Sequence, residues 1–498
     1  MRMVWGAVGM FGLGAALAWP RVPEPLAVDA PAGRFSAGRA LRALAPLMGA
    51  PRVSGSPAQR AAVEGLVDRL GALGFPVARK EHGTLWNVEA GEDRGAGVWL
   101  VAHSDSARRS PGGADDGLGL AVLLEAARVL AVEGVPDGLH LLVTDGEEQG
   151  LLGAEAFVES APAARRLVIN VEARGSEGPA YMFQTAGDAA ALLAAWRSAG
   201  CTAQAGSLAR RVYELLPNDT DFSVFRRAGA EGYDFALIHG AWRYHTPDDT
   251  FAALDPAAVQ QVGDCVVGLA RAWLAGRPVG DGSALAWQQV GPVMVALPAW
   301  LVRLGGAAGL VLLAVGARGR PLLAGVLGWI GGVVLAGLSG MALLVLLVAA
   351  WPGFLSRPAE VEGAGSVYAS AWALAAAAAG AARAVAARFA TGGGQGFGGG
   401  WLLAGAGVSG LVAVTVPEVG LVVLPGVFAA AARLWGRGVP AGVVQLGAAG
   451  LAGALLCPVL LALPEALTSR ALPVLAVVPL VVLGWLAPFG VGAREKTP

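Results

Sequence analysis

At 498 residues the chain exceeds what one hydrophobic core usually organises, so at least two folding units are expected. Hydrophobic residues make up 55 % and charged residues 15 %, with a mean hydropathy of +0.57, a bias toward membrane proteins. A net charge of −1 leaves no basic surplus for neutralising phosphates and excludes nucleic acid as a partner; three scattered cysteines exclude a disulfide framework or a thiolate zinc knuckle.

Residues 3–19 form an apolar stretch behind Arg2, so residues 1–20 are expected to be an N-terminal transmembrane helix or signal anchor that exports the segment after it. From about residue 35 to 280 the pattern is that of a soluble α/β domain, with a mixed, mostly parallel sheet sandwiched by helices. Ser56 to Leu73 has helical period behind a Ser-Pro start that suits an N-cap with proline in the first turn. Buried strands are expected at Val98 to Ala102, Leu139 to Thr144, Leu167 to Val171 and Phe235 to Ile238. Helices are expected at Asp116 to Val132, Gly153 to Glu159, Thr220 to Ala228 and Pro256 to Leu274. Cys201 and Cys265 fall in this half and can pair in an oxidising compartment, whereas Cys457 lies in an apolar run as a small buried hydrophobe.

Residues 290–490 read as an all-α polytopic transmembrane domain of about seven helices, since a span needs about 20 apolar residues. The segments lie near 296–317, 322–350, 367–389, 400–416, 419–434, 441–463 and 471–489, with Thr391 to Gly400 as a flexible connector. Arginine and lysine fall in every second connection, at Arg318 and Arg320, Arg383 and Arg388, Arg433 and Arg437, and Arg494 and Lys496; Arg357 and Arg470 break the rule. That alternation puts both termini in the cytoplasm and the soluble domain on the exported side. The spans hold no ion or proton pathway, and anchoring, homo-oligomerisation and substrate presentation fit them equally.

Five groups of candidate ligands occur in the α/β half: His103 with Asp105, Asp115 with Asp116, Glu147 with Glu148, Glu172, and Tyr244 with His245. Most follow the carboxyl ends of apolar strands, the edge at which open α/β sheets bind ligands. Oxygen and imidazole donors without thiolates suit hydrolytic zinc. Singly each group is ordinary, since an Asp-Asp pair before a helix is usually a cap and Glu-Glu a solvated loop.

Together they carry a resemblance. The series His103-x-Asp105, Gly113-Ala114-Asp115-Asp116, Asp145-Gly146-Glu147-Glu148-x-Gly150-Leu151-Leu152-Gly153, Asn170-Val171-Glu172-Ala173 and Tyr244-His245-Thr246 resembles the co-catalytic di-zinc peptidases related to bacterial leucyl aminopeptidase and glutamate carboxypeptidase. The layout resembles their membrane branch, the endoplasmic-reticulum metallopeptidase and vacuolar membrane protease. The resemblance implies two zinc ions, one held by His103, Asp115 and Glu172 and the other by Asp115, Glu148 and His245. Glu147 would be the general base, Asp105 would orient His103 through its second ring nitrogen, and Tyr244 would donate to the oxyanion. Glu172 stands where aspartate is commoner in the wider family.

The implied activity is a membrane-bound zinc exopeptidase, an aminopeptidase by first choice, acting on peptides outside the bacterial cytoplasmic membrane, or on the lumenal side in a eukaryote. A catalytically inactive membrane scaffold or trafficking protein with a retained peptidase fold, and a single-zinc glutaminyl cyclase, are the alternatives.

Overall fold

The computed structural model describes residues 2–92, 97–160, 166–214, 218–280, 285–317 and 394–435, with scattered positions at 326, 330 and between 443 and 455. Its contacts divide the chain into two compact units, Pro20–Ala284 and a second that joins Met1–Trp19 to Leu285–Pro498. In chain order the helices are α1 (Arg2–Leu17), α2 (Ala37–Leu44), α3 (Pro57–Ala72), α4 (Gly117–Leu130), α5 (Leu152–Ser160), α6 (Ala189–Ala199), α7 (Ser207–Tyr213), α8 (Asp221–Arg227), α9 (Pro256–Leu274), α10 (Ala299–Ala317), α11 (Gly394–Thr415) and α12 (Pro417–Trp435). The strands are β1 (Val77–His82), β2 (Leu85–Ala90), β3 (Gly97–His103), β4 (Leu139–Thr144), β5 (Arg166–Ala173), β6 (Glu177–Ala186), β7 (Gln204–Ala205), β8 (Glu231–His239), β9 (Leu285–Val290) and β10 (Val293–Pro298).

In the first unit β1 to β8 make one mixed sheet in the order β1-β2-β4-β3-β5-β8-β6-β7. The middle four, β4, β3, β5 and β8, run parallel and are buried almost throughout, as strands covered on both faces are. Antiparallel partners flank them, β2 beside β4 and β6 beside β8. Side chains alternate across the sheet. Trp99 and Val101 of β3, Leu142 and Val168 face one way and cluster with Phe157 of α5 and with Phe222 and Phe225 of α8. Burying such a side chain stabilises by roughly 1.5–3 kcal/mol. The helices α4 and α9 also pack on the central strands β3 and β5.

Local chemistry sets the helix starts. Ser56 caps α3 by accepting from the Gln59 N–H, Asp116 caps α4 by accepting from Gly119, and Asp255 caps α9 ahead of Pro256. Leaving an Asp to cap α4 places its neighbour, Asp115, at the mouth of the sheet.

The second unit differs from the all-α expectation. β9 and β10 form an antiparallel hairpin over Leu285–Pro298, so α10 begins at Ala299 and not near residue 296. Gly291 takes a φ of 53° and Pro292 follows it, a pair that suits a two-residue hairpin turn between the β-branched Val290 and Val293. α10, α11 and α12 pack on one another, with Leu313, Ala406, Val427, Ala430 and Ala431 in one cluster. The expected connector Thr391 to Gly400 is corrected from Gly394 onward, where the chain is already in α11. Glycine's cost of about 1 kcal/mol per helical residue does not outweigh continuity with the apolar run that follows. Among the described residues no helix is long and apolar enough to cross a membrane. The expected segments 367–389 and 471–489 lie outside the described residues, as does 322–350 apart from positions 326 and 330, and 441–463 is described only in part.

Candidate metal centre

Four of the five ligand groups ride on the carboxyl edge of the parallel strands. His103 closes β3, with Ser104 and Asp105 after it; β4 ends at Thr144 and runs through Asp145 and Gly146 into a 3-10 turn, Glu147–Gln149. Glu172 lies within β5, next to its last residue, and β8 leads through a second 3-10 turn, Ala241–Arg243, to Tyr244 and His245. The fifth group, Asp115, precedes the cap of α4, and the Asp115–Asp116 peptide is cis. His245 has a φ of 58°, a left-handed conformation uncommon for any residue but glycine.

The side chains converge. His103 Nε2 lies 3.1 Å from Asp115 Oδ1 and 3.6 Å from Glu172 Oε2. His245 Nε2 lies 3.0 Å from Asp115 Oδ2 and 3.1 Å from Glu148 Oε2. Among the described residues two groups can hold a metal ion, His103 with Asp115 and Glu172, and Asp115 with Glu148 and His245; within each, one donor atom per residue falls within 4.8 Å of the others. Asp115 belongs to both. The Tyr244 ring stacks on the His245 ring at a centroid distance of 3.7 Å.

Asp105 faces two segments. His103 Nδ1 lies 3.1 Å from the Asp105 backbone carbonyl and 3.4 Å from its carboxylate. The carboxylate also accepts from the Glu147 and Glu148 N–H groups at 3.2 and 3.3 Å. A helical turn leaves its first N–H groups without partners, and an anion at that end satisfies them. Asp105 thus ties the His103 turn to the Glu147–Glu148 turn.

Three further residues frame the site without having stood out in the sequence. Asp249 accepts from the Ala114 and Asp115 N–H groups at 2.7 and 3.3 Å and from Ser110 Oγ at 3.1 Å, which seats the loop carrying Asp115. Arg52 donates to the carbonyl oxygens of Ser104, Pro111 and Gly112. Asp221, the first residue of α8, is buried and accepts from Thr144 Oγ1, while the cap position of α8 is Thr220. Two histidines lie outside the cluster: His140 stacks on Trp99, and His239 pairs with the Tyr181 hydroxyl.

Residues 87–270 match the family model described as Peptidase family M28. The chain carries a peptidase family M28 domain. Over 177 residues it is 34 % identical to Endoplasmic reticulum metallopeptidase 1 of Rattus norvegicus, covering 34 % of this chain and 20 % of that protein. Over 180 residues it is 31 % identical to Vacuolar membrane protease of Botryotinia fuckeliana (strain B05.10), covering 34 % of this chain and 17 % of that protein. The matched part thus spans about a fifth of these relatives. Among solved structures, the aminopeptidase from Aneurinibacillus sp. strain AM-1 aligns with 50 % of this chain and 96 % of its own at 16 % identity and a TM-score of 0.39.

Within the M28 domain the charges are strongly interdependent. Burial opposes a charge on His103, yet the carboxylate of Glu172 and the hydrogen-bonding carboxyls of Asp105 and Asp115 hold its pKa well above that of an ordinary imidazole. Burial likewise opposes His245, and Asp115 and Glu148 overcome it, raising its pKa to about 10. Burial works against the Asp115 charge, but hydrogen bonds from both imidazoles hold it below the usual carboxylate range. Burial pushes Glu148 up to about 7 and raises Glu147 well above the carboxylate range, helped by neighbouring acids. The two imidazoles thus meet a carboxylate cluster that favours positive charge, as a metal cation would supply.

M28 peptidases form a zinc-dependent family, and the residues present fit that ion. Glu148 Oε1 and Glu172 Oε1 are buried with no hydrogen-bond partner among the described residues, an unfavourable state for a carboxylate oxygen that coordination to a cation relieves. The donor set of imidazole nitrogens and carboxylate oxygens is that of hydrolytic zinc sites.

Proposed function

We propose that this chain is a membrane-bound zinc exopeptidase, an aminopeptidase by first choice, that hydrolyses short peptides on the exported side of its membrane. The observation that carries the reading is the two donor groups that share Asp115, with one histidine against each of its oxygens. His103, Asp115 and Glu172 would hold one zinc ion, and Asp115, Glu148 and His245 a second. Zinc bound there would supply Lewis acidity toward the scissile carbonyl and bring the pKa of water toward neutrality. Glu147, whose buried carboxyl has a raised proton affinity, takes a proton from the attacking water at its carboxylate oxygen and delivers it to the departing amine nitrogen. Burial and the charge on Asp115 keep the Tyr244 phenol protonated, so it can donate to the carbonyl oxygen as negative charge grows there. Asp105 positions Glu147 and Glu148 through their N–H groups.

Residues 290–490, with residues 1–20, are the membrane part of this reading. Its support is the apolar composition, the alternation of basic loops, and the names of the relatives, an endoplasmic-reticulum metallopeptidase and a vacuolar membrane protease. The test combines metal analysis of the purified chain with a panel of amino-blocked, carboxyl-blocked and free peptides. Two zinc ions per chain and cleavage that requires a free amino terminus are expected. One zinc ion would return the glutaminyl cyclase alternative, and none would remove the enzyme reading. Glu147→Gln is expected to keep both ions and lower kcat by about 10²- to 10⁴-fold; full activity in that variant would take the base role from Glu147.

A further inference from the structure

Two buried cysteines lie outside the proposed zinc chemistry. Cys201 and Cys265 are free thiols in the structure, 5 % and 1 % exposed. Their meeting follows from the register of one helix face. Cys201 follows the glycine that ends α6, and Cys265 is in the middle of α9. One turn before Cys265, Gln261 Nε2 donates to the Thr202 carbonyl and hydroxyl oxygens at 3.0 and 3.2 Å. One turn after it, Gly268 faces Ala199, where an added β-carbon would fall 2.8 Å from the Ala199 carbonyl oxygen. Positions 261, 265 and 268 share a face of α9, and the outer two meet residues 202 and 199, which sets Cys265 opposite Cys201 between them. Only a residue without a side chain at 268 lets the two backbones come that close.

We propose that Cys201 and Cys265 form an intramolecular disulfide that staples the end of α6 to α9, made by exchange with a thiol–disulfide oxidoreductase of an oxidising compartment. A thiolate of the pair attacks the oxidant's disulfide and releases one of its sulfurs as a thiol, leaving a mixed disulfide. The second thiolate then displaces the oxidant's other sulfur. The pair gives up two protons and two electrons, and the oxidant leaves as a dithiol. Both sulfurs are buried in the folded domain, so the finished core shields the bond from reductants. Its effect reaches the metal centre, because α9 follows the His245 segment and packs on α4, whose first residues adjoin Asp115. The oxidising compartment rests on the exported-side reading; the geometry of the pair does not.

The test is peptide mapping of the full chain, alkylated under denaturing conditions without reductant. A chain treated with diamide in mild denaturant and returned to buffer is expected to yield the Cys201 and Cys265 peptides joined, two hydrogen atoms lighter than the separate thiols. Recovery of both as alkylated monomers, or a bond from either to Cys457, overturns the proposal. Reduction of the linked chain is expected to lower its melting midpoint by on the order of 10 °C and to need denaturant to go quickly; an unchanged midpoint overturns the staple. The Cys201→Ala/Cys265→Ala chain should melt alike with and without reductant, and should it fail to fold, the comparison of oxidised and reduced wild type decides alone. Mapping of chain quenched directly from cells separates the two readings: free thiols there, with a diamide-made bond in vitro, support the pair and sink the exported location.

Discussion

Arg52 is a fully buried arginine whose guanidinium ends on three backbone carbonyls, at 3.0 Å from Ser104, 2.7 Å from Pro111 and 3.0 Å from Gly112. Its own N–H donates to Ser106 Oγ at 2.9 Å. These contacts clamp the turn after His103 to the loop before Asp115, and a lysine, with one compact charge, cannot reproduce the fork. Arg52→Lys is expected to weaken zinc binding by about 10- to 100-fold, as loss of an outer hydrogen-bonding partner does; chelator-competition titration measures it, and unchanged affinity would show the clamp to be irrelevant to the metal. Asp221 tests the electrostatics. Burial raises its pKa from 3.8 to about 7, so the folded chain holds a proton that the unfolded chain has released between those values. Stability from this group is full below about 4 and falls as pH rises through about 7. In metal-free protein Asp221→Asn, which keeps an acceptor for Thr144, should flatten the melting midpoint across that window; a profile as steep as wild type would place the titration elsewhere.

At the scale of elements, the approach of two loops matters more than any single strand. Gly113 sits against the backbone of Thr250, where an added β-carbon would fall 2.1 Å from the Thr250 carbonyl carbon, and its N–H donates to the Asp249 carbonyl at 2.8 Å. Gly113→Ala must part the Asp115 loop from the segment behind His245. It should cost about 3 kcal/mol, near the upper end for overpacking, and lower zinc affinity with it; calorimetric melting and zinc titration would show whether both fall together. The strands β3, β4, β5 and β8 were legible because a strand buried on both faces is a continuous apolar run that stops at a polar loop. β1 was not, since Arg79, Lys80 and Glu81 make it an exposed edge, and β6 carries Gly178 and Pro179 near its start. Those strands exist through their neighbours. α9 was legible to the residue, its Asp255-Pro256 start being written in local chemistry.

For the whole molecule, the metal centre concentrates Asp115, Glu147, Glu148 and Glu172 where burial opposes charge, so the ion should be part of the fold. Chelation is expected to lower the melting midpoint and zinc to restore it, by about 4 kcal/mol at a free zinc concentration 1,000 times Kd. A midpoint insensitive to both would mean that the pocket holds no ion. The hairpin of β9 and β10 was missed because its apolar composition looks like the beginning of the helix that follows, and only the Gly291-Pro292 turn separates them.

From the amino-acid order alone came the kinds of donor, their succession along the chain and the strand ends that carry them, because a buried strand and a helix cap are local patterns. What tertiary structure alone decided was that Asp115 stands between His103 and His245 with one oxygen to each, that the Asp105 carboxylate serves the Glu147–Glu148 turn, and that Arg52 and Asp249 hold the frame. Each of these contacts joins segments whose meeting depends on the β4-β3-β5-β8 order of the sheet, and no local propensity encodes that order.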